Sequence, residues 1–209
     1  MTRLLVTAGP TYEAIDDVRF VGNRSSGKLG YAVAAEGARR GWTVELVSGP
    51  TCLPDPAGVA VARVESALEM REALQSRFAR CDVLVMAAAV ADYRPAQRFD
   101  GKLKKREGED RLRLELVKNP DLLAELSARR TRGQVLVGFA LEAQDALENA
   151  LKKLVSKGVD WLVLNGPATL GAERSDFQIL RRGQEPERWP ELAKEDFARR
   201  LLELVAPRS

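Results

Sequence analysis

Residues 22–29 (GNRSSGKL) could bind an anion, because hydroxyl groups and glycines stand directly before a predicted helix. The segment matches the G-x-x-x-x-G-K pattern of phosphate-binding loops, but Leu29 replaces the Ser or Thr that would hold Mg²⁺. It also lies well beyond the first predicted strand, which disfavours a nucleoside triphosphatase of that class. We predict that Ser25, Ser26 and Gly27 bind phosphate, the simpler alternative being that Ser26 only caps the helix.

A second group of candidates follows predicted strands. Ala88 lies in a run of small residues, 87–91 (AAAVA), which would let a planar ring approach the backbone. Asp92 could accept a hydrogen bond from an exocyclic amine or help to hold a metal ion, or it is an ordinary turn carboxylate. Phe139 ends another strand, and its ring belongs either to the core or to a surface on which a base stacks.

Lysines supply the positive charge that a polyanion needs. Lys102 and Lys104 alternate in a predicted flap, so both could reach over a triphosphate. Lys153 and Lys157 are four residues apart and share one helix face. The alternative is that these lysines lie on a solvated surface and bind no ligand. Residues 118–121 (KNPD) are typical of a loop that enters a helix, with a proline in the first turn and an aspartate favourable to the helix dipole.

The amino-acid composition excludes several kinds of catalytic and metal site. The 209 residues contain no histidine, which excludes Ser-His and Cys-His nucleophiles and His-ligated metals within this chain. Cys52 and Cys81 lack C-x-x-C spacing and are expected to be buried apolar residues. The net charge of +3 and 6% aromatic content make a single-stranded nucleic-acid-binding module a weak alternative. Residues 7–11 (TAGPT) lack the glycine pattern of dinucleotide sites, so an NAD(P)-dependent Rossmann oxidoreductase is a second alternative.

The elements that must position these residues alternate between strand and helix. Strands are predicted over 3–8, 43–47, 59–64, 82–88, 134–138, 160–164 and 175–181, and helices over 27–40, 66–79, 120–130, 143–157 and 190–205. This order predicts an α/β fold: a three-layer, Rossmann-like, mostly parallel sheet with helices on both faces. Residues 99–118, with apolar and charged side chains in alternation, are predicted to form an inserted two-stranded β flap.

We expect one domain over residues 1–209. No apolar run is long enough for a membrane span and no signal segment is visible, so a cytoplasmic protein without membrane association is expected.

Ten short motifs together resemble one enzyme family, and the resemblance extends from Arg3 to about Asn165. They are Val6 to Gly9, Ile15-Asp16, Val18 to Phe20, Asn23 to Lys28, Val47 to Thr51, Ala87 to Arg94, Gly101 to Lys105, Val117 to Asp121, Val137 to Ala140 and Asn149 to Lys157. A chain that combines them resembles the bacterial phosphopantothenate–cysteine ligases, the ligase half of the bifunctional coenzyme A biosynthesis flavoprotein.

The resemblance implies CTP-dependent ligation of 4′-phosphopantothenate to L-cysteine through an acyl cytidylate, with Mg²⁺ accompanying CTP. It implies a homodimer whose flap reaches toward the partner subunit. A flavin-dependent decarboxylase, fused or separate, is a further expected partner, whereas no flavin and no nucleic acid are expected for this chain.

The resemblance also implies roles for particular residues. Asn23 would position the acyl group and the intermediate, and Lys102 would lie over the triphosphate. Asp92 would contact cytidine and is a candidate Mg²⁺ ligand. The remaining nucleotide contacts implied are Ser25, Ser26, Gly27, Ala88, Asn119, Pro120, Asp121, Leu122, Phe139, Lys153 and Lys157. Pro10 stands where the family commonly has a second glycine, which puts a backbone contact there in question.

Overall fold

The computed structural model describes residues 1–104, 110–142, 145–166 and 172–207. Its strands are β1 (Arg3–Ala8), β2 (Tyr12–Ala14), β3 (Phe20–Gly22), β4 (Thr43–Ser48), β5 (Val59–Arg63), β6 (Val83–Met86), β7 (Tyr93–Pro95), β8 (Leu116–Lys118), β9 (Val135–Leu141), β10 (Trp161–Asn165), β11 (Arg174–Arg181) and β12 (Glu187–Ala193). Its helices are α1 (Lys28–Arg39), α2 (Ala67–Phe78), α3 (Leu122–Ser127), α4 (Ala146–Ser156) and α5 (Lys194–Val205).

Eight strands form one sheet in the order β12-β11-β10-β9-β6-β1-β4-β5. The six strands from β10 to β5 are parallel, and β11 and β12 add an antiparallel edge. Among the parallel strands, chain order reverses direction between β1 and β6. In open α/β sheets, the crevice outside the carboxyl ends of strands at such a reversal is where ligands bind.

Helices cover both faces of the sheet, as the sequence predicts. Alternate side chains of the strands point to opposite faces, so Leu4 and Val6 pack with α1 and α5 while Leu5 and Leu84 pack with α2, α3 and α4. The two apolar layers confirm the three-layer α/β prediction. In the described part of the chain, no helix is long and apolar enough to span a bilayer.

The flap is built differently from the prediction. β8 pairs with β7, which precedes the predicted interval, and Arg94 lies opposite Val117. Residues 99–104 do not pair with residues 111–114. Instead, Phe99 donates its N–H to the Ile15 carbonyl oxygen, and Leu103 donates its N–H to the Asp16 carboxylate. Residues 105–109, at the predicted turn, lie outside the described residues.

The C-terminal region also departs from the prediction. A helix is predicted from 190, but residues 187–193 form β12 and α5 begins only at Lys194. Trp189 is buried opposite Phe177, and the strand pairing shifts at Pro190 and Glu191. Pro190 is tolerated there because β12 is an edge strand with an irregularity at that point.

Candidate active site

A cleft of about 1000 Å³ opens at the reversal point of the sheet. Three loops form most of its walls: the segment before α1, the segment after β6 and the segment before α3. The cleft brings together all but one of the site residues predicted from the sequence. These are Asn23, Ser25, Ser26, Gly27, Ala88, Asp92, Asn119, Pro120, Asp121, Leu122, Phe139, Lys153 and Lys157.

The loop before α1 leaves the helix N-terminus open to an anion. Gly27 is the residue at the N-cap, with a φ of 75°, and no side chain in the described structure caps the helix. The interpretation of Ser26 as a cap is therefore wrong. Instead, the Ser25 hydroxyl accepts a hydrogen bond from the Gly27 N–H at 3.4 Å. Backbone N–H groups and hydroxyls at an uncapped helix N-terminus favour phosphate oxygens.

Gly27 is required by its surroundings as well as by its backbone conformation. A Cβ atom there would approach the Thr51 Cγ2 atom at 2.7 Å. The left-handed φ also disfavours other residues. The sequence motif and the local geometry therefore agree on this loop.

Asn23 is exposed at the mouth of the cleft, and its amide is already engaged. Its Nδ2 atom donates to the carbonyl oxygens of Ala89 and Val90, both at 3.1 Å. Asn23 thus joins the loop before α1 to the loop after β6. Its Oδ1 atom, an acceptor, is the group left to face a ligand, whereas donation to a substrate carbonyl requires one of these contacts to exchange.

The loop after β6 is fixed by the end of the neighbouring strand. Ala88 and Ala91 donate their N–H groups to the hydroxyls of Thr7 and Thr11, which are fully buried. Because the alanines are small, this loop presents backbone and methyl groups to the cleft. Pro10 forms a bridge with Ala89 and is not among the residues that line the cleft.

Asn119 hydrogen-bonds the loop before α3 to the loop after β6. Its backbone N–H donates to the Asp92 carbonyl, and its side chain donates to the Ala91 carbonyl, both at 2.8 Å. Asp121 then caps α3 by accepting the Ala124 N–H at 3.0 Å, as the K-N-P-D motif indicates. Leu122 is buried at the start of that helix.

Phe139 borders the cleft and also contacts the core. Its half-buried ring packs edge-on against Phe197, with ring centroids 6.1 Å apart. The core interpretation and the base-contact interpretation are therefore compatible.

Two lysines project from α4 and the residue after it, and each has a carboxylate partner. Lys153 pairs with Glu142 at 2.5 Å, and Lys157 pairs with Asp121. Burial lowers the pKa of Lys157, an effect that the Asp92 carboxylate opposes. A bound polyanion would compete with these carboxylates for both ammonium groups.

Lys102 is the one predicted site residue that does not line the cleft. It is exposed, and its neighbours Gly101 and Leu103 are held by residues 16–19. Within the single chain, Lys102 therefore does not join Asn23 among the residues that line the cleft.

Several residues of the cleft wall were not predicted as site residues, among them Ser175 and Lys194. Ser175 lies on β11, and Lys194 begins α5. A lysine in a first helical turn is ordinarily solvated, so no sequence signal distinguishes this one. Only the folding of β11 and β12 against α1 and α5 buries it.

Among the described residues, no three carboxylate or thiol side chains cluster closely enough to hold a metal ion by themselves. Asp92 is exposed on the cleft wall and offers one hard oxygen ligand. That is compatible with Mg²⁺, which proteins commonly bind through one or two carboxylates together with substrate phosphates.

Comparisons with known proteins agree with one another. Residues 1–208 match the model of the DNA/pantothenate metabolism flavoprotein C-terminal domain. The coenzyme A biosynthesis bifunctional protein CoaBC of Bacillus subtilis is 40% identical over 97% of this chain and 50% of its own length. That of Mycobacterium bovis is 51% identical over 78% of this chain and 41% of its own.

A crystal structure of the C-terminal domain of such a bifunctional protein superposes with a TM-score of 0.83 at 38% identity. It covers 98% of this chain and 93% of that domain. The chain spans about half or less of the length of the curated bifunctional relatives it matches, as the coverages of 41% and 50% indicate.

Proposed function

The chain belongs to the family of the DNA/pantothenate metabolism flavoprotein C-terminal domain, and on that premise we propose that it is a CTP-dependent phosphopantothenate–cysteine ligase. The family relationship confirms the resemblance found in the sequence. The substrates, the nucleotide and the order of steps are the parts that we propose.

The proposed reaction has two steps. A carboxylate oxygen of 4′-phosphopantothenate attacks the α-phosphorus of CTP, the bond to the β-phosphate oxygen breaks, and pyrophosphate leaves. The amine of L-cysteine then attacks the acyl carbon of the resulting acyl cytidylate. CMP leaves and the amine loses a proton, giving 4′-phosphopantothenoyl-L-cysteine. Neither step requires a protein nucleophile, in keeping with a chain that contains no histidine.

The cleft offers separate surroundings for the two ends of the nucleotide. Asn119 to Leu122, Ala88 and Phe139 provide backbone and apolar contacts suited to a base. The α1 N-terminus, with Ser25, Ser26 and Gly27, provides N–H and hydroxyl donors for phosphate oxygens. Lys153 and Lys157 add positive charge, and exchanging their carboxylate partners for phosphates would let them hold the nucleotide.

Asp92 would hold Mg²⁺ together with the phosphates of the nucleotide. The ion would supply charge neutralisation between the attacking carboxylate and the phosphates. The residues of the chain orient the reactants, and orientation is a large part of what brings two anions together.

Asn23 is proposed to position the acyl group. As a neutral side chain it can stand beside an anionic intermediate without repelling it. Its contacts with Ala89 and Val90 fix the relative position of two cleft walls, so it also shapes the site.

We propose a homodimer in which Lys102 acts on the cleft of the partner subunit. Lys102 lies outside the cleft of its own chain. The hairpin β2–β3 and the ribbon β7–β8 pack together and carry apolar side chains that are 43% to 60% exposed, namely Val18, Phe20, Tyr93 and Leu116. Exposed apolar surface of this kind marks a protein interface, and it adjoins the segment that carries Lys102.

The observation that carries the proposal is the junction of an uncapped helix N-terminus with two loops at the reversal point of the sheet. The experiment is a pyrophosphate-release assay with CTP, Mg²⁺, 4′-phosphopantothenate and L-cysteine, followed by mass determination of the product. Release should require CTP, Mg²⁺ and 4′-phosphopantothenate, and release beyond about one pyrophosphate per cleft should also require L-cysteine, which clears the acyl cytidylate. Absence of release, with an intact fold by circular dichroism, would reject the function.

Three further experiments separate the alternative functions. Replacing CTP by ATP tests the base preference. A fluorescence titration with NADH tests the oxidoreductase. Oligonucleotide binding that weakens steeply with salt would indicate the nucleic-acid module instead.

A further inference from the structure

Lys194 is buried in the wall of the cleft, where its ammonium group makes no hydrogen bond to the residues that the structure describes. The residue is 7% exposed. Among the residues that the structure describes, none accepts a hydrogen bond from its Nζ atom. A buried ammonium without a partner is costly and uncommon in folded proteins, and it calls for an anion.

Ser175 presents a second unpartnered polar group to the same cleft. It is 8% exposed, and its Oγ atom has no hydrogen-bond partner among the described residues. β11 and β12 are paired so that Ser175 lies opposite Leu192 and Arg174 opposite Ala193, the residue before Lys194. The pairing brings the hydroxyl and the ammonium to the same edge of the sheet.

Lys194 lies near a second lysine, and the two share a carboxylate. Glu173 forms an ion pair with Lys28, the first residue of α1, and so one carboxylate serves two lysines. Burial lowers the pKa of Lys194 and Lys28 lowers it further, while Glu173 and Glu195 oppose this lowering. An incoming anion would therefore strengthen the charged form of Lys194.

The same contacts show which part of a ligand could reach this place. Lys28 begins α1, whose open N-terminus is the phosphate-binding feature of the cleft, and Lys28 and Lys194 are close enough to affect each other. The base-binding contacts proposed above lie on the other loops. A chain of phosphates that starts at the α1 N-terminus can thus extend toward β11.

We propose that Lys194 and Ser175 form an anion subsite for the two terminal phosphates of the nucleotide, the part that leaves as pyrophosphate. The assignment rests on the proposed function for the identity of the nucleotide. The recognition itself needs only phosphate oxygens: the ammonium and the hydroxyl each donate to them, which satisfies both unpartnered groups.

Calorimetric titration of the full chain with CTP, CMP and inorganic pyrophosphate tests the subsite. We expect Lys194→Met to weaken the binding of CTP and pyrophosphate by about tenfold or more, and that of CMP by less than about twofold. Ser175→Ala should change the same two ligands in the same direction by a smaller factor. Lys152→Met, at an exposed lysine that pairs with Glu148, is the matched control and should change none of them.

A measurement on the unaltered protein guards against a variant that fails to fold. In protein labelled with ¹⁵N-lysine, the Nζ signal that disappears in Lys194→Arg should shift when pyrophosphate is added. An unchanged signal would overturn the subsite.

The outcomes distinguish this proposal from the function on which it rests. If CTP does not bind and no pyrophosphate is released, the ligase function fails, but the pyrophosphate titrations still decide the subsite. Equal pyrophosphate affinity in Lys194→Met and the original protein, or no binding to either, overturns the subsite while leaving the ligase intact. Selective loss of phosphopantothenate relative to pantothenate, with CTP binding retained, would assign the subsite to the other substrate and also overturn the proposal.

Discussion

Leu103 donates its backbone N–H to the carboxylate of Asp16 at 2.9 Å, and this contact fixes the base of the flap. Asp16 is 3% exposed and also accepts the N–H groups of Val18 and Arg19. The Arg19 guanidinium binds the same carboxylate and reaches the Leu103 carbonyl at 2.6 Å. Lys102 therefore extends from a rigid base, although it lies far along the sequence from the loop that holds it.

Asp16→Asn should impair the use of CTP through the flap. An amide cannot accept all of the hydrogen bonds that the carboxylate accepts, so the chain around Leu103 would shift and Lys102 with it. We expect kcat/KM for CTP to fall by about tenfold to a hundredfold, since small displacements of positioning groups have effects of that size. Asp17→Asn is the control, because Asp17 is exposed and pairs with Arg98. Equal activity of the two variants would contradict the role of Asp16.

The hydrogen bond from Leu103 to the Asp16 carboxylate should persist at acidic pH. Burial raises the pKa of Asp16, but the hydrogen bonds from Arg19 and from the backbone of Leu103, Val18 and Arg19 outweigh it and lower the pKa below 3.8. A carboxyl with a lowered folded-state pKa contributes stability above its unfolded-state pKa and loses it as the pH falls through the folded-state value. The unfolding free energies of the original protein and Asp16→Asn should thus differ by a constant amount from pH 7 to about 4 and converge below.

Gly30→Ala should destabilise the protein, although the higher helix propensity of alanine alone would predict stabilisation. A Cβ atom on Gly30 would approach the Ala8 Cβ at 2.6 Å and the Thr7 carbonyl oxygen at 2.7 Å, where α1 packs on β1. We expect a loss of about 1–3 kcal/mol in chemical denaturation, as for other overpacked sites. Ala35→Gly, at an exposed position of the same helix, calibrates the propensity effect alone and should cost about 0.5–1 kcal/mol. A stabilised Gly30→Ala protein would mean that α1 lies farther from the sheet.

The two cysteines should differ in reactivity. Burial, and then the charge of Asp82, raises the pKa of Cys81 to about 12. Cys52 is exposed, so the expectation that both cysteines are buried is wrong for Cys52. A disulfide reagent at pH 8 should therefore label one thiol in the native protein and two after denaturation, and Cys52→Ser should abolish the native reaction. Two fast native thiols would contradict the burial of Cys81.

The raised pKa of Cys81 also predicts alkaline behaviour. A thiol whose pKa is higher in the folded state stabilises the fold fully below its unfolded-state value of 9.0. That contribution is lost as the pH rises toward about 12. The difference in unfolding free energy between the original protein and Cys81→Ala should accordingly shrink over that interval.

The sequence predicts the sheet well because local patterns determine it. Runs such as 3–8 and 83–86 are short, apolar and ended by small or turn residues, and loops that follow adjacent parallel strands must meet. That rule brings the segments that hold Asn23 and Asp92 to one edge of the sheet before any coordinate is known. It does not extend to Asn119, which follows the antiparallel strand β8.

Side-chain partners could not be predicted in the same way. The Asn23 amide binds carbonyl groups about 66 residues away, and Lys194 is buried by strands whose own prediction was incomplete. Such contacts depend on tertiary packing, to which residue type and spacing give no access. The position of Lys102 likewise follows from Asp16, a residue whose sequence motif gives no sign of the flap.

Mixing two inactive variants should restore activity if Lys102 serves the partner subunit. Asn23→Asp replaces the donor to Ala89 and Val90 with a carboxylate and places negative charge beside the phosphates, so it should inactivate its own cleft. Lys102→Gln removes the ammonium but leaves its own cleft intact. After subunit exchange half of the dimers are mixed, and one cleft in each mixed dimer then combines Asn23 with a lysine from its partner. We expect about a quarter of the original pyrophosphate-release rate in an equimolar mixture, against almost none for either variant alone. If Lys102 acted within its own chain, both clefts of the mixed dimer would be defective and the mixture would stay inactive.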